Sequence, residues 1–294
     1  MWKRIELHNH TIESDGNMKP EELVEYLHQN NIQSFSITDH NTISAWHLMK
    51  DICNKYNMEY IQGFELTSFY GHMLIQNLKD YFPWDDIDEN NGDILFERAH
   101  EMGAIAGTAH PFSIPSPFSN GMNWTLKIKD QNLIDFIEVI NNAHPMEPDN
   151  RKGIQYWQQL IFDGYKIAPV SGMDLHRKTD MSNYFTTYIK VKDENQPLSK
   201  QLEQAIHSCN TQVTKGPLIN YEIKDQKIVI TLQNINNYQN IYLKYQTKDQ
   251  TMIQKYNKQK ITFSIQENVN GTVMLFENDI TCSNLIALTG IFIS

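Results

Sequence analysis

Short apolar runs alternate with amphipathic segments from the start of the chain to about residue 172. The apolar runs predict strands at residues 3–7, 34–38, 60–64, 71–76, 104–109, 135–140 and 166–170. Apolar residues at helical spacing predict helices at 20–30, 44–56, 94–102 and 149–162. This alternation favours an α/β fold built on a mostly parallel sheet or barrel.

The pattern changes near residue 220. Four stretches, 221–233, 241–246, 260–266 and 272–276, alternate apolar with polar residues and are separated by turn signals such as Asn270-Gly271. We expect residues 1–219 to form the barrel and residues 220–294 a small antiparallel, β-sandwich-like accessory domain. This second part contains no histidine, so we assign it no chemistry. It is a structural cap, an interface or an accessory ligand-binding module.

Metal-ligating residue types follow several of the predicted strands. His8 and His10 share one face of the first strand, because side chains alternate along a strand. Asp15 follows in a turn-forming Ser-Asp-Gly sequence. The other strand exits carry Asp39, His40, Glu65, His110, Asp174 and His176. Because chemistry collects at the carboxyl ends of strands in such folds, we expect these side chains to converge.

Composition narrows the function classes. The 294 residues carry a formal net charge of −10, which argues against a general nucleic-acid binder but allows a small anionic substrate. Cys53, Cys209 and Cys282 are isolated and odd in number, and they indicate neither a disulfide framework nor a thiolate metal site. No apolar signal core opens the chain and no run is long enough to cross a bilayer, so we expect a cytoplasmic protein with no membrane partner.

Two groups of residues are assigned other roles. Residues 112–121 contain Pro115, Pro117 and Gly121 and predict a mobile loop over the site. The remaining histidines of the barrel region are expected to be surface or packing residues; they include His47, His100, His144 and His207.

Taken in order, the motifs His-x-His-x4-Asp-Gly, Thr-Asp-His, Gly-x-Glu, Gly-His, His-Pro and Gly-x-Asp-x-His resemble those of the PHP (polymerase and histidinol phosphatase) metallohydrolases. The run Gly63-Phe64-Glu65 with Gly71-His72, and the run 137–142, resemble the CehA/McbA-like branch. The resemblance covers residues 1 to about 219. It implies a distorted (β/α)7 barrel and a site with two or three divalent ions.

The resemblance also implies a ligand set. His8, His10, Glu65 and Asp174 would hold one metal, and Glu65 would bridge to a second metal that His110 also binds. Asp15, His40 and His176 would hold a third. Where many members place another histidine for the second metal, this chain has Asn141-Asn142, so the number of ions stays open between two and three. Imidazole and carboxylate ligands suit Zn, Mn or Fe(II).

Three residues near these motifs have candidate roles of another kind. Arg177 could form a forked contact with a phosphate, or it could be a surface arginine paired with a carboxylate. His72 could donate to the anionic group of a substrate, or it could be structural. Asp39 could orient a metal ligand, or it could cap a helix that starts near Thr42.

These observations favour a metal-dependent phosphoesterase acting on a small phosphomonoester, of nucleotide or sugar phosphate type. The catalytic groups would be Glu65, Asp174 and His72, and the attacking group a metal-activated hydroxide. The same ligands could serve a carbamate, amide or ester hydrolase, or a non-catalytic module that holds metal. The oligomeric state is not predicted.

Overall fold

The computed structural model of the protein describes residues 1–114, 122–143, 148–257, 259–265 and 269–293. Most of the predicted loop over the site, and His144, lie outside the described residues.

A curved six-stranded sheet forms the centre of the first part of the chain. Its strands, in both chain order and spatial order, are β2 (Ser34–Ile37), β3 (Glu59–Ser68), β4 (Gly71–Gln76), β5 (Ile105–Thr108), β6 (Phe136–Asn141) and β7 (Ala168–Gly172). The pairs β2–β3, β5–β6 and β6–β7 are parallel, whereas β4 is antiparallel to both of its neighbours. The sheet is therefore mixed rather than uniformly parallel.

The segment that follows β1 (Trp2–Ile5) lies between the two edges of this sheet. Glu6 bridges to Phe35 of β2, and Asn9 bridges to Leu175, just after β7. The backbone N–H of His10 donates to the Leu175 carbonyl at 3.1 Å. The first segment thus joins both edges, and the result is a (β/α)7-like barrel.

The helices are fewer than a full (β/α)7 alternation requires. The described residues form α1 (Pro20–Gln29), α2 (Trp46–Tyr56), α3 (Gly92–Glu101), α4 (Pro148–Phe162) and α5 (Leu198–His207). No helix connects β3 to β4, because these strands form a tight hairpin in which Gly71 has a φ of 149°. None of the described helices has the length and apolar character needed to span a membrane.

Local sequence explains how α1 forms. Pro20 occupies its first turn, where a missing N–H costs nothing, and the Glu22 carboxylate accepts the backbone N–H of Lys19 at 2.8 Å. Leu23 and Leu27 are spaced four residues apart and are buried in the core against the barrel.

A second, antiparallel sheet has seven strands in the order β1-β8-β9-β16-β15-β12-β13. Its remaining strands are β8 (Thr186–Lys190), β9 (Thr211–Thr214), β12 (Ile241–Gln246), β13 (Thr251–Lys255), β15 (Gly271–Glu277) and β16 (Leu285–Ile291). A three-stranded sheet consists of β10 (Leu218–Lys224), β11 (Lys227–Gln233) and β14 (Ile261–Ser264). An apolar cluster that includes Ile230 and Leu275 draws residues from both of these sheets.

Strands from both sides of residue 219 share the seven-stranded sheet, since β16 pairs with β9. The division of the chain into residues 1–219 and 220–294 stays a prediction. The C-terminal stretches do contain antiparallel strands, as their alternation predicts.

Candidate metal centre

Barrel strands and the turns after them carry the predicted ligands to one end of the barrel. His8 and His10 follow β1 and are fully buried. Glu65, expected just after a strand, lies within β3, because that strand continues to Ser68 in its pairing with β4. His110 and Asp174 follow β5 and β7 with φ values of 27° and 49°, a left-handed backbone that residues other than glycine adopt at a cost.

The first group of ligand atoms comes from His8, His10, Glu65 and Asp174, which lie within 4.8 Å of one another. The Nε2 atoms of His8 and His10 are 3.1 and 3.2 Å from Glu65 Oε2. They are 3.4 and 3.1 Å from Asp174 Oδ1. These are the four residues that the family resemblance assigns to one metal.

A second group contains His10, Asp15, His40 and His176, also within 4.8 Å of one another. Asp15 Oδ1 lies 3.1 Å from His176 Nε2 and 3.5 Å from His40 Nε2. The resemblance assigns Asp15, His40 and His176 to one metal, and the structure adds His10 to them. The two groups therefore adjoin and share His10.

The two oxygens of Glu65 face different imidazoles. Oε2 is 2.9 Å from His40 Nδ1 and contacts His8 and His10, whereas Oε1 is 3.0 Å from His72 Nδ1 and 3.2 Å from His110 Nε2. This arrangement suits a carboxylate that bridges two ions. The assignment of a second ion to Glu65 and His110 stays a prediction.

His72 is buried, and burial lowers its pKa, so the ring is neutral near pH 7. Since its Nδ1 donates to Glu65, its Nε2 carries a lone pair. In this state Nε2 can accept a hydrogen bond or bind a cation, and donation to an anion would need a second proton. The contact of His72 with the anionic group of a substrate stays a prediction.

Unsatisfied polar atoms indicate how well the site fits a cation. The buried atoms His8 Nε2, His10 Nε2 and Glu65 Oε2 have no hydrogen-bond partner among the described residues. Buried polar atoms without partners are costly, and these three point at one another. A divalent cation between them would satisfy all three, so these residues fit such a cation.

The electrostatics of the site agree with this fit. Burial raises the pKa of Glu65, but the imidazoles of His40, His8 and His72 hold it well below its usual range. Burial lowers the pKa of His10, but close contacts with the Asp174 and Glu65 carboxylates raise it overall to about 9. Without cations the carboxylates therefore retain protons on nearby imidazoles, and a cation must displace those protons.

Arg177 is exposed and lines a cavity of about 380 Å³ together with Asp174, His176 and Tyr184. Among the described residues it has no carboxylate partner within ion-pair distance. The sequence allows Arg177 two alternative roles, a contact with a phosphate or an ion pair with a carboxylate. The ion pair is absent from the described part of the chain.

Asp39 supports the site through a loop. Its Oδ1 accepts from the Thr11 N–H and the Ser14 hydroxyl, each at 2.7 Å, and its Oδ2 accepts from the Thr11 hydroxyl. It thereby holds the loop that carries Asp15. The predicted helix cap near Thr42 is wrong, since α2 begins at Trp46.

Two buried residues contact the ligands: Glu138, which the motifs do not include, and Asn141, which stands where many PHP members place another histidine. Glu138 Oε1 lies 2.9 Å from His8 Nδ1, and Asn141 Nδ2 donates to Asp174 Oδ2 at 3.1 Å. A signal for Glu138 exists in the sequence, because it is the one charged residue inside the apolar run 136–140. A carboxylate in a strand that is otherwise apolar needs a buried partner.

The profile of the PHP domain matches residues 6–287. The chain belongs to the PHP domain family. This match extends beyond residue 219, into the C-terminal strands. The comparison with curated proteins gave no match.

Among solved structures, the PHP protein is similar to a two-domain protein from Bacteroides vulgatus ATCC 8482 that contains a predicted PHP-like metal-dependent phosphoesterase. The identity is 16%, the TM-score is 0.60, and the alignment covers 99% of this chain and 95% of that one. A proposed metal-dependent phosphoesterase from Bifidobacterium adolescentis ATCC 15703 is 14% identical, with a TM-score of 0.45 and coverages of 69% and 96%. An amidohydrolase from Chromobacterium violaceum is 13% identical, with a TM-score of 0.42 and coverages of 59% and 87%. The first of these shows that the fold is shared along nearly the whole chain.

Proposed function

We propose that this PHP protein is a metal-dependent hydrolase that cleaves a small phosphomonoester, of nucleotide or sugar phosphate type. The observation that carries the proposal is the pair of adjoining ligand groups that share His10, beside a cavity lined by Arg177. The name of the Bacteroides vulgatus protein supports the same chemistry.

The chain's own residues would divide the work. One ion would be held by His8, His10, Glu65 and Asp174, and another by His10, Asp15, His40 and His176. Where three ions bind, Glu65 and His110 would hold the third. Bound there, Mn, Zn or Fe ions lower the pKa of a coordinated water and neutralise the charge that develops on a phosphoryl group.

Arg177 would bind and orient the substrate phosphate. A guanidinium forms two parallel hydrogen bonds to a phosphate, which fixes the direction of the ester relative to the ligand groups. The unpaired and exposed state of Arg177 supports this role, because no described carboxylate competes for the guanidinium. Tyr184 lines the same cavity and would contact the rest of the substrate.

We further propose that the chain belongs to the CehA/McbA-like branch. The run 137–142 resembles the same stretch of that branch. Two residues of this run contact metal ligands: Glu138 contacts His8, and Asn141 contacts Asp174. The alternative function is cleavage of a carbamate, amide or ester at the same metal site, and the experiment below distinguishes the two.

The test is phosphate release from a panel of phosphomonoesters, with Mn or Zn added to metal-depleted protein. Arg177→Ala should lower kcat/KM for phosphomonoesters by about 100-fold, since charge-assisted bidentate contacts are worth roughly 3 kcal/mol. It should leave cleavage of a neutral ester unchanged.

Lys178→Ala is the matched control, because Lys178 is an adjacent exposed cation whose Nζ lies 5.8 Å above the Tyr26 ring. It should retain full activity. Turnover of neutral esters or amides without turnover of any phosphomonoester would contradict the proposal and favour a carbamate, amide or ester hydrolase. A protein that binds no metal and is unchanged by Asp174→Asn would contradict both.

A further inference from the structure

Glu138 lies beneath the first ligand group and is 1% exposed. Its Oε1 is 2.9 Å from His8 Nδ1, on the side of the ring opposite to Nε2. The Nε2 atom is the one that points toward Glu65 and Asp174. Glu138 therefore contacts the ligand group only through the far nitrogen of His8.

Both carboxylate oxygens of Glu138 have hydrogen-bond partners. Oε2 accepts the backbone N–H of His110 at 2.8 Å and the Asn141 amide at 3.3 Å. The Asn141 amide also donates to Asp174 Oδ2 at 3.1 Å, so that Asp174 Oδ1 is the oxygen left facing His8 and His10. Asn141 Oδ1 is occupied by the Ala143 N–H, which fixes the orientation of the amide.

The backbone leaves room for this contact. A Cβ atom at Gly172 would lie 2.2 Å from Glu138 Oε1 and 2.4 Å from His8 Cβ. Only glycine at this position in β7 allows the carboxylate and the imidazole to meet. The contact between Glu138 and His8 therefore depends on three elements: the segment after β1, strand β6 and strand β7.

We propose that Glu138 is a positioning residue that sets the tautomer and direction of His8, and that Asn141 does the same for the Asp174 carboxylate. A carboxylate only accepts hydrogen bonds, so it holds the His8 proton on Nδ1 and leaves the Nε2 lone pair aimed at the cation position. The inference rests on the proposed cation site but not on the identity of the substrate.

Glu138→Gln tests the chemistry with almost no change of shape. If the glutamine oxygen faces His8, its NH2 group meets two other donors, the His110 N–H and the Asn141 amide. If the side chain is reversed, its NH2 group faces Nδ1 and the ring proton moves to Nε2. Either orientation makes His8 a weaker metal ligand, so the affinity for Mn or Zn should fall about 10- to 100-fold.

The affinity is measured by calorimetry on metal-depleted protein, with thermal melting in chelator as the stability readout. Glu6→Gln is the matched control. Glu6 is also a fully buried carboxylate beside His8, but its Oε1 accepts the backbone N–H groups of His8 and Met173 and does not contact the ring. This variant should bind the metal as the parent does.

Gly172→Ala gives a second perturbation that removes no functional group and should weaken metal binding in the same direction. Should Glu138→Gln fail to fold, Gly172→Ala and Asn141→Ala decide the matter. Unchanged affinity in the folded variants, with only a lower melting temperature, overturns the inference while the proposed function stands. A parent protein that binds neither Mn nor Zn overturns both.

Discussion

At the scale of single residues, the side chains that converge could be picked out from residue type and position near a strand end. His8, His10, His40 and Asp174 converge because their strands share one barrel, and Glu65 lies between them. Glu138 could not be assigned in the same way, since its role depends on which ring nitrogen it meets. A sequence gives the residue types but not the direction of an imidazole.

The buried ionisable groups predict how stability depends on pH. Burial lowers the pKa of His10, but contacts with the Asp174 and Glu65 carboxylates raise it overall to about 9. Burial likewise lowers the pKa of His110, but the hydrogen bond to Glu65 raises it to about 8. Burial raises the pKa of Glu6 to about 7. All three groups bind protons more tightly in the folded state than in the unfolded state. Raising the pH therefore destabilises the metal-free protein, beginning near pH 4.5 for Glu6 and near pH 6.5 for the histidines.

We expect the melting temperature of chelator-treated protein to fall steadily between pH 6.5 and 9. Protein saturated with Zn or Mn should lose most of this dependence, because the cation takes the place of the protons. Thermal melts across this range, with and without metal, give the comparison. A metal-free melting temperature that rises toward pH 9 would contradict these assignments.

At the scale of elements, hydrophobic patterning locates the barrel strands and the helices between them to within a few residues. The hairpin of β3 and β4 breaks the expected alternation, and patterning does not show that two neighbouring strands run antiparallel. It also does not predict β16, a strand that is buried along its whole length and does not alternate apolar with polar residues. The reason is physical: Leu288 packs in the barrel core cluster and Ile291 in the C-terminal cluster, so both faces of this strand are covered.

Close packing between β5 and β6 predicts a large effect of a small change. A Cβ atom at Gly107 would lie 2.2 Å from the carbonyl oxygen of Phe136 and 2.3 Å from its ring. Gly107→Ala should therefore lower the free energy of unfolding by roughly 2–3 kcal/mol, because the backbone cannot move aside without breaking the strand pairing.

Urea denaturation of the metal-free protein measures this loss. Gly164→Ala is the comparison, since the space around Gly164 is open and only its φ of 102° opposes a side chain. It should cost about 1 kcal/mol. Equal losses in the two variants would show that packing against Phe136 is not the cause.

At the scale of the whole molecule, the C-terminal strands are joined to the barrel. Met274 and Phe276 of β15 belong to the same apolar cluster as Trp157 of α4. Gln158 of α4 donates to the Thr272 hydroxyl at 2.8 Å. Sequence patterning cannot reveal these contacts, because pairing between β9 and β16 involves residues far apart in the chain and leaves no local signal.

Removal of residues 220–294 should therefore destabilise the barrel. The truncated chain would expose the apolar face of α4 and leave the edge of β9 unpaired. We expect a melting temperature at least about 10 °C lower, or aggregation, when residues 1–219 are produced alone. Size-exclusion chromatography and thermal melting measure both. A monomeric fragment that melts like the full chain would instead support two independent domains.

The segment that closes the barrel has a consequence for biosynthesis. His8 and His10 leave the ribosome early, but Asp174 and Leu175, which complete their surroundings, are synthesised much later. Neither four-residue ligand group is therefore complete in a nascent chain until its seventh barrel strand has emerged. Completion of these ligand groups and closure of the barrel therefore coincide during synthesis.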